Sequence, residues 1–212
     1  MRRILGSLPA SVELVVVAKN RTAGEIISAI ECGACIIGEN YVQEAELMRA
    51  CIASNVAWHC IGHLQKNKVK KAVVLFDMIE TVDSLDLAEE IDKRCAPLGK
   101  IMPVLIEVNS GQEPNKSGAM PEDVPALAAS IAALKNIKLN GLMTMGPVVD
   151  NVEEIRPYFA QTYQLFLKLK QLDIPGVEIT CLSMGMTESY RIAIEEGATM
   201  VRIGQGIFSV YQ

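Results

Sequence analysis

Short apolar runs alternate with helical segments along the whole sequence, and this alternation restricts the possible folds more than any other feature. "ELVVVA" precedes the helical "TAGEIISAIECG", for example, and "IKLNGLMTM" precedes "NVEEIRPYFAQTYQLFLKLKQL". Continuous apolar strands are typical of a parallel sheet that is buried on both faces. Strict alternation then selects an α/β fold with right-handed crossovers. The eight predicted strands are 13–18, 35–38, 57–62, 75–82, 101–109, 137–145, 177–185 and 199–204.

Two α/β architectures can accommodate this pattern. Eight units within 212 residues predict a closed (β/α)8 TIM barrel near its lower size limit. An open doubly wound sheet would carry a glycine-rich dinucleotide loop after its first strand, and "VAKNRTAG" contains none. No linker, low-complexity segment or charge block divides the chain. The sequence therefore predicts one barrel domain over residues 1–212.

Composition and charge narrow the class of protein. The chain has 20 basic and 25 acidic residues, a net charge of -5, which argues against non-specific binding to nucleic acid or an anionic membrane. The apolar runs are shorter than the roughly 20 residues of a membrane span. The N-terminus lacks a secretory signal, so we expect a cytoplasmic protein. The pair Cys32 and Cys35 has redox spacing, but a lone C-x-x-C is better interpreted as buried hydrophobes.

The strands end in polar residues, which is where barrels of this kind carry their chemistry. Lys19 ends the first strand and is either a solvated cap or an amine held at a site. Met143 could line a pocket or pack in the core. His59 and His63 lie on a strand-to-loop segment, so no metal site is predicted. The other strand-end candidates are Glu39, Asn40, Tyr41, Gly62, Asp83, Ser84, Asn109, Thr144, Ser183, Met184, Gly185, Arg202, Gly204 and Gln205.

The turns after the last two strands indicate a phosphate site. "SMGMTES" and "RIGQG" are small and contain glycine, which lets backbone N–H groups approach an anion closely. Lys19 ends the strand that neighbours the eighth strand in a closed barrel. An amine near a phosphate suggests a Schiff base, either with pyridoxal phosphate or with a sugar-phosphate carbonyl as in an aldolase. Arg202 would then face the ring or the substrate.

Three stretches at the ends of predicted strands together resemble the pyridoxal-phosphate homeostasis protein family: "GENYVQE", "IGHLQKNK" and "LSMGM". Its barrel is similar to the N-terminal domain of alanine racemase. The resemblance implies that Lys19 carries pyridoxal 5'-phosphate as a Schiff base and that Asn40 helps to position it. It also implies that Arg202 approaches the pyridine nitrogen and keeps it unprotonated, because a fixed cation disfavours a second one. The residues implied to hold the phosphate are Ser183, Gly185, Gly204 and Gln205.

The sequence departs from the family pattern at three places. Gln205 stands where the family usually has threonine, and "AKN" replaces "SKT" around Lys19. Only 13 residues, Met1 to Glu13, precede the apolar run of the first strand, which begins at Leu14. Alanine racemase adds a C-terminal β domain with a catalytic tyrosine, and no corresponding base is evident here.

The resemblance therefore implies a cofactor carrier in vitamin B6 homeostasis rather than an enzyme, with no catalytic residue assigned. The expected partners are pyridoxal phosphate and the apoenzymes that depend on it, and a monomer is expected. One alternative is a pyridoxal-phosphate-dependent amino-acid racemase or decarboxylase whose base comes from elsewhere. A second alternative is a cofactor-free Schiff-base aldolase that uses Lys19.

Overall fold

The structure, a computed structural model, describes residues 1–172, 174–175 and 177–208. These residues form a closed barrel of parallel strands, in which each strand pairs with the next and the eighth pairs with the first. The predicted (β/α)8 barrel is confirmed. The strands are β1 (Glu13–Val17), β2 (Ile36–Glu39), β3 (Ala57–Cys60), β4 (Met78–Val82), β5 (Met102–Glu107), β6 (Ile137–Met143), β7 (Cys181–Ser183) and β8 (Met200–Ile203).

The helices lie outside the barrel, and the seven that follow strands β1 to β7 match the predicted alternation. None of the helices in the described ranges is long and apolar enough to cross a membrane. The helices are α1 (Arg2–Leu5), α2 (Ala23–Glu31), α3 (Val42–Cys51), α4 (Val69–Leu75), α5 (Leu85–Cys95), α6 (Val124–Ala132), α7 (Arg156–Gln171), α8 (Tyr190–Glu195) and α9 (Gln205–Phe208).

Several strands are shorter than predicted. Leu75 belongs to α4 rather than to β4, and β7 keeps only Cys181–Ser183 of the predicted 177–185. Apolar periodicity cannot separate a buried helix end from the strand that follows it, because both bury the same residue types. The short helices α1 and α9 were not predicted, because a single turn has almost no periodic signal.

The strands bury apolar side chains on both faces and so build two cores. Trp58 and Phe76 lie in the outer core, between the strands and the helices. The barrel interior holds a smaller apolar cluster that consists of Val15, Ile36, Ile61, Leu105, Met143, Cys181 and Met200. Successive residues of a strand point to opposite faces, so each strand feeds both cores. This explains why the strands have continuous apolar sequences.

Lys100 stabilises the C-terminal end of α4. Its Nζ donates hydrogen bonds to the carbonyl oxygens of Val73, at 2.9 Å, and Phe76, at 2.7 Å. We expect Lys100→Met to lower the free energy of unfolding by about 2 kcal/mol, because two carbonyls lose charge-assisted partners at a helix C-terminus. Urea unfolding measures this loss. Lys93→Met, at an exposed position of α5, is the matched control, and equal effects of the two substitutions would contradict the assignment.

Candidate functional site

Lys19 lies at the carboxyl end of β1, exposed at the barrel mouth. It lines a cavity of about 360 Å³ together with Gly204 and Gln205 of the turn after β8. Its Nζ lies 5.8 Å from the centroid of the Tyr41 ring, which follows β2. The structure thus brings the predicted amine and the predicted phosphate turn into one cavity. The other residues that line this cavity are Val17, Asn20 and Arg21.

The turn that carries Lys19 is held from both sides. Asn20 adopts a left-handed backbone with φ +58°, and its N–H donates to Oε2 of Glu44 in α3 at 3.3 Å. Two residues later, Thr22 begins α2 with a capping box, because Thr22 and Glu25 each bind the other's backbone N–H. Asparagine tolerates the left-handed region better than most residues, which accounts for Asn20 at this position.

The surroundings require glycine at position 185 and leave little room for a side chain at Gly204. Gly185 has φ +91°, and a Cβ there would lie 2.5 Å from Cβ of Ala193 and 2.9 Å from Cα of Tyr190. A Cβ at Gly204 would lie 3.2 Å from Cβ of Val17 on β1. The backbone N–H of Arg202 donates to the carbonyl oxygen of Gly185 at 3.0 Å, which joins the two turns.

Arg202 is 3% exposed and lies in the barrel interior, where it joins a network with side chains of three other strands and one backbone carbonyl group. Its Nη1 donates to the hydroxyl of Ser183 at 2.6 Å, and its Nη2 donates to the carbonyl oxygen of Thr144 at 2.9 Å. The Ser183 hydroxyl in turn donates to Oε2 of Glu80 at 2.6 Å. Nδ1 of His59 lies 2.8 Å from Oε1 of the same carboxyl group. We call His59, Glu80, Ser183 and Arg202 the interior network.

Electrostatics in the interior network favour an ionised Glu80. Burial by itself raises the pKa of Glu80, but the hydrogen bond and charge of His59, then the charge of Arg202 and the Ser183 hydroxyl, lower it below its ordinary value. Burial lowers the pKa of Arg202, and the charges of Glu80 and Glu107 oppose that effect. The network therefore contains a carboxylate and a guanidinium that compensate each other.

Two predicted cofactor residues lie deeper than expected. The Ser183 hydroxyl is fully buried and is committed to Glu80 and Arg202, so this hydroxyl is not available to a phosphate at the mouth. Met143 is also fully buried, within the apolar cluster of the barrel interior, which matches the core-packing interpretation of its side chain. Both follow from strand alternation, because β6 and β7 point these side chains inward.

Asn40 follows β2, which pairs with β1 on the edge opposite to β8. It lines a cavity of about 320 Å³ with His63, Glu107 and the loop after β5. The side chain of Asn109 shapes that loop, because it both donates to and accepts from the backbone of Glu113, at 2.8 and 3.1 Å. Residues 109–118 thus form a loop at the rim of the mouth that is held by its own hydrogen bonds.

Two buried carboxyl groups near the mouth have strongly raised pKa values. Burial, followed by the charge of Glu44, raises the pKa of Glu39 to about 7. Burial and then the charge of Asp83 raise the pKa of Glu107 to about 7, against the opposing charge of Arg202. Both oxygens of Glu39 and Oε2 of Glu107 have no hydrogen-bond partner among the described residues. Glu39 points toward the helices, whereas Glu107 points inward.

Sequence reasoning missed Glu80 and assigned no functional role to His59. Glu80 is a carboxylate within the apolar run "DMIETV", and a charged residue in a buried strand is expected to have a partner. That signal could have identified Glu80 as important. Its partners could not be identified, because they come from strands about 20 to 120 residues away, at His59, Ser183 and Arg202.

Comparisons with known proteins agree with this geometry. The family model described as alanine racemase, N-terminal domain, matches residues 1–212. The chain is 38% identical over 201 residues to the pyridoxal phosphate homeostasis protein of Haemophilus influenzae, covering 93% of this chain and 84% of that protein. It is 42% identical over 178 residues to the protein of the same name from Aquifex aeolicus, covering 84% of this chain and 77% of that protein.

Solved structures of related proteins superpose on this chain over most of its length. PipY of Synechococcus elongatus with PLP bound superposes with a TM-score of 0.91 at 36% identity, over 97% of this chain and 96% of that one. The alanine racemase of Clostridium difficile superposes with a TM-score of 0.77 at 18% identity, over 97% of this chain and 54% of that one. The second likeness concerns the fold alone.

Proposed function

The chain belongs to the family described as alanine racemase, N-terminal domain, and from this membership we propose that it binds pyridoxal 5'-phosphate and acts in homeostasis of that cofactor. One observation carries the proposal: the Lys19 amine shares a cavity with Gly204 and Gln205 of the turn after β8. The names of the relatives from Haemophilus influenzae and Aquifex aeolicus support it, as does PipY with PLP bound.

The residues around Lys19 suit a phosphate-bearing aldehyde. Lys19 and Arg21 place two cationic side chains at one cavity, and Gly204 allows close approach of backbone to an anion. In our proposal Lys19 holds the cofactor covalently through Nζ, and the turns at Gly185 and Gly204–Gln205 hold its phosphate. When bound, the cofactor supplies a reactive carbonyl and an electron-withdrawing ring.

Asn40 and Arg202 complete the proposed binding residues. Asn40 orients the bound ring from β2, and Arg202 presents a cation from the barrel interior. Ser183 acts through its hydrogen bond to Arg202, and Met143 supports the floor of the mouth from the apolar core. We propose that this barrel, residues 1–212, works as one domain and as a monomer. We further propose that the apoenzymes that require the cofactor are its recipients.

A carrying role needs no second general base, and this is the function that we propose. Glu107 favours one alternative, an amino-acid racemase or decarboxylase, because its buried carboxyl group has a pKa near 7 at the mouth. Incubating the protein and its cofactor with single L-amino acids, followed by chiral chromatography, distinguishes the two. Turnover that Glu107→Gln abolishes would establish the enzyme, and no product would uphold the carrier.

We expect Lys19→Ala to abolish covalent attachment of pyridoxal phosphate, because the variant lacks the only amine that lines this cavity among the described residues. The wild type should develop a visible absorption band with the cofactor, and borohydride should fix the label on the peptide that contains Lys19. Lys70→Ala, at an exposed position of α4, is the control and should retain both signals.

Two results would contradict this assignment. A band of equal intensity in the Lys19→Ala protein would place the attachment elsewhere. A colourless wild type whose Lys19 is instead fixed by borohydride on a sugar phosphate would favour the aldolase.

A further inference from the structure

The interior network has a consistent direction of hydrogen bonding. Because Glu80 is ionised, its oxygens can only accept, so Nδ1 of His59 must carry the proton and donate. Ser183 donates its hydroxyl hydrogen to Glu80 and accepts from Nη1 of Arg202. Every hydrogen between His59 and Arg202 is thereby assigned. The guanidinium is linked to the carboxylate through one hydroxyl.

This network is costly for the barrel interior to maintain. The surrounding interior cluster is apolar, and buried ion pairs are often replaceable by hydrophobic side chains without loss of stability. Packing alone therefore does not account for a guanidinium, a carboxylate and an imidazole in this place. The position of these side chains is informative. Arg202 and Gly204 are two residues apart and therefore lie on the same, inward face of the strand. Gly204 also lines the cavity of Lys19.

We propose that Glu80 and His59 are positioning residues that, through the Ser183 hydroxyl, hold the Arg202 guanidinium as an oriented cation beneath the barrel mouth. The guanidinium donates a hydrogen bond to an uncharged acceptor that is bound at the mouth. This inference rests on the proposed function to the extent that the acceptor is the pyridine nitrogen of the cofactor. The arrangement of the four side chains themselves is independent of any ligand.

Glu80→Gln tests the arrangement in the protein without cofactor. A glutamine amide can satisfy Ser183 with its oxygen, but its NH₂ group then faces Nδ1 of His59 and requires that atom to accept. We expect Nδ1 of His59 to lose its proton, so that the ring becomes the Nε2–H tautomer, which ¹⁵N NMR of the imidazole nitrogens detects. The chain has 2 histidines, so His63→Gln assigns the signals.

Ser183→Ala tests the link to Arg202, and it provides a second test that does not depend on the folding of the Glu80 variant. It removes one hydroxyl and should leave the His59 tautomer unchanged. We expect the Arg202 side-chain N–H signals, sharp and resolved in the wild type, to broaden in both variants as the guanidinium gains rotational freedom. An unchanged His59 tautomer in Glu80→Gln, or unchanged Arg202 signals in Ser183→Ala, would overturn the positioning role.

The ligand side of the proposal is tested with pyridoxine 5'-phosphate, which has the same ring and phosphate but no aldehyde. Calorimetric titration should give weaker binding by about tenfold in each single variant, as for loss of one oriented hydrogen bond to a charged group. The double variant should bind no more weakly than the singles, because both substitutions break one linkage. Additive losses would overturn the linkage.

The two proposals fail in distinguishable ways. If the wild type does not bind pyridoxine 5'-phosphate but the NMR changes occur, the interior network is upheld and the cofactor proposal loses support. If the wild type binds the probe but Glu80→Gln leaves the His59 tautomer and the probe affinity unchanged, the cofactor proposal stands. The positioning role of Glu80 is then refuted.

Discussion

Replacing Gly141 with alanine is expected to cost more than about 4 kcal/mol of stability, a large part of the roughly 5–15 kcal/mol by which folded domains are stable. Gly141 lies on β6 with φ +156°, in direct register with Cys181 on β7. A Cβ at this position would overlap the carbonyl oxygen of Cys181 and lie 2.7 Å from its carbonyl carbon. These are backbone atoms, so a rotamer change cannot relieve the overlap.

The overlap at Gly141 is expected to destabilise the whole barrel. β7 has only 3 residues, Cys181–Ser183, and it closes the barrel between β6 and β8. Displacing β7 to admit a methyl group would break its pairing with β6 and would move Ser183 away from Arg202. We therefore expect loss of cooperative unfolding, rather than a small shift of its midpoint.

Circular dichroism and urea unfolding of purified Gly141→Ala measure the effect. Gly24→Ala is the matched control, because Gly24 lies in α2 and a Cβ there meets no atom within 4 Å. Alanine in a helix is favoured over glycine by roughly 0.5–1 kcal/mol, so the control should be slightly more stable than the wild type. A cooperative Gly141→Ala transition near the wild-type midpoint would contradict the argument from backbone overlap.

The second large effect is expected from Glu39→Gln, which should stabilise the protein by about 3 kcal/mol at pH 8. Glu39 is fully buried, and neither of its carboxyl oxygens has a hydrogen-bond partner among the described residues. Burial, followed by the charge of Glu44, raises its pKa to about 7. At pH 8 the folded wild type must therefore hold a negative charge in a buried position, and glutamine removes that charge.

The dependence on pH has a definite sign. A carboxyl group whose pKa is raised on folding binds its proton more tightly in the folded state, so the stability of the wild type falls as pH rises from about 4.5 through 7. The difference between Glu39→Gln and the wild type should therefore be near zero at pH 4.5 and should grow until it levels off above pH 7. Below this window both proteins carry an uncharged side chain at position 39.

Urea unfolding at a series of pH values from 4.5 to 8, the interval around the pKa of about 7, measures this difference directly. Glu122→Gln, at an exposed position, controls for the loss of one negative charge and should follow the wild type. A constant difference between Glu39→Gln and the wild type at every pH would show that Glu39 does not titrate in this interval.

Most of the architecture followed from local patterns. The run of apolar strands, each followed by a helix of 3.6-residue periodicity, was enough for the (β/α)8 barrel and for the order of its strands. Strand order also placed Lys19 and the turn at Gly204 at neighbouring strand ends, and the structure brings them into one cavity. These inferences succeed because neighbouring strands in this fold are also neighbours in sequence, apart from β8 and β1.

The interior of the barrel was decided only by tertiary structure. The sequence by itself determined that Glu80 and Arg202 lie in strands, but not that the hydroxyl of Ser183 joins them across the interior. Nor did it determine which of the adjacent residues Glu39 and Asn40 faces the helices and which faces the barrel mouth. Register and the direction of each side chain depend on how all the strands tilt and close together, and a one-residue shift exchanges the two faces. Local periodicity specifies which segments form strands, whereas closure of the barrel specifies which side chains meet.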